Sequence, residues 1–378
     1  MIRVLIGGDI CPIERNAAMF ERGDAEGLFH DLLQDLGRAD LVIANLECPL
    51  IERPTPIAKT GPVFGQSTAC INGIRAAGID ALCLANNHAL DHGPQGLEST
   101  LRTCRRAGVL TVGAGANLAE ARQILVREVG GVRVGVLAMA EHEFSIATPV
   151  TPGANPFDLI DFVRSAAANR AACDYLIVLL HGGAEFLALP SPRLKETCHF
   201  LIEMGANAVL VQHPHSVGGY EHYREGHIVY GQGALVMDEA IYRGMKSFHE
   251  GMLVSLSIER GGASSIAFVP LAQSDPLPGA RRLDGARADA FLRALNAKSE
   301  AVLDDEYLAG EWRRFCEGEK HGYLSVLLAH NRLLRVANRR GHLARWLYNK
   351  RRMLGTRNLV CCETHREVLE TVFKEGMI

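Results

Sequence analysis

Five short apolar runs in this sequence each lead into residues able to hold a metal ion. Asp9 follows the first, and Asn45 and Glu47 follow the second. Asn86, Asn87 and His88 follow the third, His181 and Glu185 a fourth, and His213 and His215 a fifth. Taken singly, each has an ordinary structural reading: an Asp at a strand end often caps a helix, and a lone His is more often a satisfied structural residue. Together, carboxylate, imidazole and amide oxygen suit Mn, Fe or Zn. Within His213-Pro214-His215 the proline biases His213 toward extended backbone. In an extended segment residues i and i+2 point to the same side, so both imidazoles would reach one centre. The sequence has no G-x-S-x-G elbow for serine hydrolysis and no G-x-x-x-x-G-K-[ST] phosphate loop.

The elements that must position these residues alternate. Apolar runs at Ile2–Ile6, Leu41–Ala44, Ala81–Ala85, Val134–Met139, Tyr175–Leu180 and Ala208–Val211 read as buried strands. Helical patterns lie near Glu26–Leu36, Gly96–Ala107, Asp158–Arg170 and Pro192–Met204. An α/β domain follows, with the candidate ligands at the carboxyl ends of strands, where such sheets bind their ligands. Gly130-Gly131, and Met252–Leu271 with its turn at Gly261-Gly262, read as hairpins, so the sheet is mixed. Ser274–Gly279 reads as a linker, dividing a domain over 1–273 from a helical, Arg-rich extension over 280–378. From Arg332 to Arg357 there are nine Lys or Arg and no Asp or Glu, interleaved with apolar residues such as Leu333, Leu343 and Trp346. Such a stripe reads first as a helix packing on the main domain, and second as an anion-binding or membrane-surface helix.

Composition narrows the class. With 48% hydrophobic and 22% charged residues the 378-residue chain is ordinary globular protein, and a net charge of −3 gives no general attraction to nucleic acid. Ten cysteines without a C-x-x-C pair argue against a zinc ribbon or a disulfide framework and fit a reducing compartment. The opening MIRVLIGGDI has no basic region leading into an apolar core, and the apolar runs are strand-length, so a cytoplasmic protein is expected.

Blocks of sequence then carry a resemblance. Gly7–Ile10 (GGDI), Asn45–Leu50 (NLECPL), Ala85–Gly93 (ANNHALDHG), His181–Pro192, Gly205–Glu221 and Ile228–Leu235 resemble, in order, the signature blocks of the CapA family of capsule and poly-γ-glutamate synthesis, in the calcineurin-like metallophosphoesterase superfamily. The resemblance implies a calcineurin-like four-layer α/β/β/α sandwich with mixed sheets and a helical C-terminal extension. It implies two divalent ions (Mn, Zn or Fe), with Asp9 on the first, Glu47 bridging, Asn87, His181 and His213 on the second, and His215 on the first. His88 would protonate a leaving group, beside Asn87. Glu185 and Glu221 would orient histidines, and Lys59 would pair with a substrate anion or stay a solvated loop lysine. Cys11 stands where the superfamily has a histidine, and a thiolate there would favour Zn or Fe. Gly182 and Ala234 depart from the family's Trp and Asn. The expected activity is hydrolysis of a phosphoester or amide, a γ-glutamyl linkage included, in an anionic small molecule, peptide or polymer; the alternative is a non-catalytic accessory of a synthase complex. Contact with a synthase or a membrane surface, and none with nucleic acid, is expected.

Overall fold

The computed structural model describes residues 1–59 and 61–328, with isolated positions 333, 336, 353, 356 and 360 beyond. Strands β1 (Ile2–Cys11), β2 (Leu41–Leu46), β3 (Ala81–Cys83) and β4 (Leu110–Val112) begin one sheet. Strands β5 (Leu125–Val129), β6 (Val132–Ala140), β7 (Tyr175–His181), β8 (Ala208–Gln212), β9 (Tyr220–Tyr223) and β10 (Gly226–Val229) make a second. The chain then returns to the first with β11 (Ala234–Met237), β12 (Glu250–Ile258), β13 (Ser264–Gln273) and β14 (Ala280–Arg282). The first sheet has the order β14-β13-β12-β1-β2-β3-β4, with β11 also beside β1; the second has the order β9-β10-β8-β7-β6-β5. Neighbours β1 to β4 are parallel, as are β6, β7, β8 and β10, and the remaining hairpins are antiparallel. Both expected hairpins form: β5 and β6 turn at Gly130-Gly131, where φ is +54° and +78°, and β12 pairs with β13.

Side-chain alternation builds the layers, because successive residues of a strand face opposite sides. Val4 and Ile6 of β1 join Tyr175, Ile177 and Leu179 of β7 in a core between the two sheets. Leu5 points the other way and packs with Phe20, Leu28, Phe29 and Leu32 from short helices over 17–36. Leu176, Val178 and Leu180 of β7 pack outward against Phe162 of helix α2 (Leu159–Asn169) and Cys198 and Leu201 of α3 (Pro192–Glu203). Helix α1 (Gly93–Ala107) covers the first sheet through Cys104. The result is the four-layer α/β/β/α order.

The segment Ser274–Gly279 is a closed turn within the first sheet, not a linker. Ser274 N–H donates to the Gly279 carbonyl at 2.7 Å, and Arg15 and Asn16 donate to Ser274. Proline and glycine mark tight turns and linkers alike, so composition alone could not separate them. Helix α4 (Gly285–Leu303) seats Phe291 and Leu295 in the core between the sheets, and the first compact unit runs from Met1 to Ala309. The second unit is Gly310–Ile378, in which Trp312 and Phe315 stack with centroids 5.5 Å apart. The basic stretch from Arg332 to Arg357 lies outside the described residues, isolated positions apart. Among the described residues no helix is long and apolar enough to cross a membrane.

Strand β1 changes partner halfway. Ile2–Ile6 pair with β12, whereas Asp9–Cys11 pair with β11, and the register to β2 shifts between Ile6 and Asp9. Gly7-Gly8 occupies the switch. A Cβ on Gly8 would stand 2.0 Å from the Gly233 carbonyl oxygen, while one on Gly7 would meet the movable Leu235 Cδ2 at 2.6 Å. Backbone cannot yield as a side chain can, so Gly8→Ala should lose about 3 kcal/mol or more and Gly7→Ala about 1–2 kcal/mol. Urea unfolding midpoints measure both, and a Gly8→Ala protein as stable as the parent would contradict this account.

Candidate metal centre

The carboxyl edges of both sheets meet at one place. The first sheet delivers Asp9 from β1, Asn45 and Glu47 from the end of β2, and Asn86-Asn87-His88 from the turn after β3. The second delivers His181, the last residue of β7, and His213 and His215 from the bend after β8. All but Asn87 are buried. His181 Nε2 lies 3.3 Å from Glu47 Oε1 and 3.1 Å from Asn87 Oδ1. His215 Nδ1 lies 3.4 Å from Asp9 Oδ2, and its Nε2 3.9 Å from Glu47 Oε1. The donor atoms of Glu47, His213 and His215 all fall within 4.8 Å of one another. An amide chain fixes Asp9: Asn86 Nδ2 donates to Asn45 Oδ1 at 3.1 Å, and Asn45 Nδ2 donates to Asp9 Oδ1 at 2.8 Å.

Several polar atoms here have no protein partner. Both oxygens of Glu47 and His213 Nδ1 are buried without a hydrogen bond. Buried polar groups are almost always satisfied, so acceptors left open in this concentration fit a cation. The oxygen and imidazole donor set suits a divalent transition metal. The charges agree. Burial alone would raise the Asp9 carboxyl, but its bond to His215 and the charges of His181 and His215 outweigh that and hold it at about 2. Burial alone would lower His215, but Glu47 and Asp9 outweigh it and raise His215 to about 9. His213 is pushed well down by burial, then by His181 and His215.

The backbone after β8 is not the extended segment expected from its proline. His213 has φ +94° and His215 φ +50°, both left-handed. Such residues cost of order 1–3 kcal/mol each and persist where the surroundings over-determine them. Here Phe186 N–H donates to the Pro214 carbonyl at 2.7 Å, and Gly182 N–H to the Gln212 carbonyl at 3.0 Å. The sharp bend, rather than strand alternation, turns both imidazoles inward.

Other expected residues fall elsewhere. Cys11 is buried in the outer core, and its thiol is pushed up by burial and by its neighbour Cys48. It is not among the grouped donor atoms. Glu221 accepts from His199 Nε2 at 3.0 Å and Tyr230 Oη at 2.7 Å, so it orients no histidine of the centre. Glu185 is exposed and lines a cleft of about 230 Å³ beside His88, His215 and Glu239. Lys59 lines the same cleft, yet its ammonium pairs with Asp91 at 2.7 Å. Three residues escaped the sequence reading. Asp91 accepts from His88 Nδ1 at 2.6 Å, and its i+3 spacing from His88 was a usable signal. Phe64 packs its ring 4.6 Å from that of His88, and Glu239 rims the cleft. Neither has a local signature.

The linked Asp9 and His215 shifts make a pH prediction for chelator-treated protein. Asp9 binds its proton less tightly folded than at its ordinary 3.8, so its contribution is present above about pH 4 and fades as pH falls toward 2. His215 binds its proton more tightly folded than at its ordinary 6.5, so its contribution is full below 6.5 and is lost as pH rises through about 9. Melting temperature should therefore fall between pH 6.5 and about 9, and His215→Gln should flatten that limb. An identical alkaline slope in the variant would assign it to other groups.

A family described as "Bacterial capsule synthesis protein PGA_cap" matches residues 3–239. The chain is 28% identical over 288 residues to "Capsule biosynthesis protein CapA" of Bacillus anthracis, covering 73% of this chain and 69% of that protein. It is 24% identical over 296 residues to "PGA biosynthesis protein CapA" of Bacillus subtilis, covering 77% of each. A "Probable polyglutamine synthesis accessory protein" of Mycobacterium tuberculosis is 29% identical over 261 residues, covering 62% of this chain and 69% of that protein. Among solved structures, a 5'-nucleotidase precursor from Thermus thermophilus aligns at 14% identity and a TM-score of 0.40, covering 80% of this chain and 59% of that one. The family match spans every strand end that supplies the centre, and the chain belongs to the bacterial capsule synthesis protein family, within the metallophosphoesterase-like superfamily.

Proposed function

We propose that the centre is that of a metal-dependent hydrolase with two divalent ions (Mn, Zn or Fe), acting on a phosphoester or amide in capsule or polymer synthesis. The observation that carries this reading is Glu47, a fully buried carboxylate with both oxygens unpartnered between two sets of donors. On one side stand His181 Nε2 and Asn87 Oδ1, 3.1 Å apart; on the other stand Asp9 Oδ2 and His215 Nδ1, 3.4 Å apart. Ligands about 2.1 Å from a common ion lie roughly 3–3.4 Å from each other, which these spacings match. His213 lies with Glu47 and His215.

Divalent ions held there would activate water and draw charge from the substrate as it reacts. The chain's own residues supply the rest. His88 commits Nδ1 to Asp91 at 2.6 Å, so Nε2 is the nitrogen left to protonate a departing group. Phe64 shields one face of that imidazole. Glu185 and Glu239 line the cleft beside His88 and His215. The relatives are named for capsule, PGA and polyglutamine synthesis, and this supports a place in polymer synthesis, with a γ-glutamyl linkage as one candidate bond. The word "accessory" in one of those names supports a second reading, a non-catalytic partner of a synthase.

Elemental analysis of native protein separates the two, with about two metal ions per chain expected for the hydrolase. Glu47→Ala and His213→Ala should each lower that content, and undiminished metal in both variants would sink the reading. With Mn or Zn supplied, His88→Ala should reduce kcat about 100-fold or more on esters with alkoxide leaving groups. Native protein that holds no metal and, even with Mn or Zn supplied, turns over neither p-nitrophenyl esters nor γ-glutamyl amides would favour the accessory role.

A further inference from the structure

Lysine in a loop is ordinarily solvated, yet the side chain of Lys59 is only 2% exposed. Its loop, residues 52–65, has no regular secondary structure among its described residues and is tied along its length to the turn after β3. Thr55 N–H donates to His92 Nδ1 at 2.8 Å, Ile57 N–H to the Asp91 carbonyl at 2.9 Å, and Phe64 N–H to Asp91 Oδ2 at 2.7 Å. Lys59 Nζ is at the centre, donating to Asp91 Oδ1 at 2.7 Å and to the Asn87 carbonyl at 3.3 Å. Asp91, with no exposure at all, offers its other oxygen to His88 Nδ1 at 2.6 Å. Lys59 Nζ and His88 Nδ1 are 3.3 Å apart, two donors aimed at different oxygens of one carboxylate.

We propose that Lys59 is a positioning residue: through Asp91 and the Asn87 carbonyl it holds His88 with Nε2 turned to the cleft. A buried carboxylate is costly without a compensating charge, and the Lys59 ammonium supplies it at the oxygen His88 does not use. The carboxylate is thereby fixed in rotation. The contact to the Asn87 carbonyl fixes the backbone just before His88 as well. Loss of the ammonium leaves Asp91 Oδ1 without its donor and leaves the Asn87 carbonyl to the Ser145 hydroxyl at 2.8 Å. The carboxylate is then held at Oδ2 alone, by Phe64 N–H and His88. A misplacement of about 1 Å costs on the order of a hundredfold in rate. The role rests on the hydrolase reading of His88. It is distinct from direct contact between Lys59 and substrate, which the position of Lys59 in the cleft wall also allows.

The test compares wild type, Lys59→Met, Lys59→Arg, Asp91→Asn and His88→Ala on paired esters with p-nitrophenol and simple alcohol leaving groups. Metal content and thermal melting are followed in each, with the low-field proton resonance of the His88–Asp91 bond. Lys59→Met should lower kcat about 10- to 100-fold on the alcohol ester and far less on the p-nitrophenyl ester, with KM and metal content near wild type. Lys59→Arg should recover most of the loss, and the low-field resonance should vanish in Lys59→Met as in Asp91→Asn. A raised KM with kcat intact on both esters overturns the proposal in favour of substrate contact. An unaltered resonance in Lys59→Met overturns it too. Should metal-supplied wild type turn over neither ester nor a γ-glutamyl amide, the hydrolase reading fails, while the resonance still decides whether Lys59 holds the imidazole.

Discussion

Two carboxylates with almost no access to water, Asp9 and Glu47, set the terms for this molecule. A buried anion is tolerated only where a cation or a dense set of donors faces it. Asp9 has the amide of Asn45 on one oxygen and the imidazole of His215 near the other. Glu47 has no hydrogen-bond donor on either oxygen and is surrounded by His181, His213 and His215. The elevated proton affinity of His215 has the same origin, because a positive charge is welcome between those carboxylates.

Gathering that charge requires two sheets. β1 and β2 supply the carboxylates and β7 and β8 lead to the histidines, so neither sheet holds the centre alone. The apolar core between them, with Val4, Ile6, Ile177 and Leu179, sets the distance and holds the two carboxyl edges side by side. Local backbone is bent to serve this arrangement. Gly7-Gly8 lets β1 change partners just before Asp9, and the left-handed His213 and His215 swing their rings into the interior. Strain of that size, a few kcal/mol in all, is supported by the strands and hydrogen bonds on either side.

The cleft beside the centre has a different electrical character. Lys59 and Asp91 neutralise each other beneath His88, while Glu185 and Glu239 stand at the rim. On the proposed hydrolase reading, such a wall gives the holding of metal, the positioning of the imidazole and the admission of substrate to different residues. It also makes the loop over 52–65 part of the site, although that loop carries no ligand.

The sequence by itself determined the alternation of strands and helices, the mixed sheets, and the strand ends at which Asp9, Glu47, Asn87, His181, His213 and His215 stand. These were legible because periodic burial and strand-end chemistry are local properties. Only the tertiary structure decided which of these atoms meet, since their separation along the chain says nothing about distance across two sheets. It placed Glu221 with His199 rather than at the centre, and buried Cys11 among apolar neighbours. It closed Ser274–Gly279 into a turn, because Arg15 and Asn16, far away in sequence, bind there. The bend at His213 overrode a local proline preference for the same reason. Long-range hydrogen bonds and buried charge outweigh a bias of order 1 kcal/mol in the backbone, and no window of sequence contains both sides of that balance.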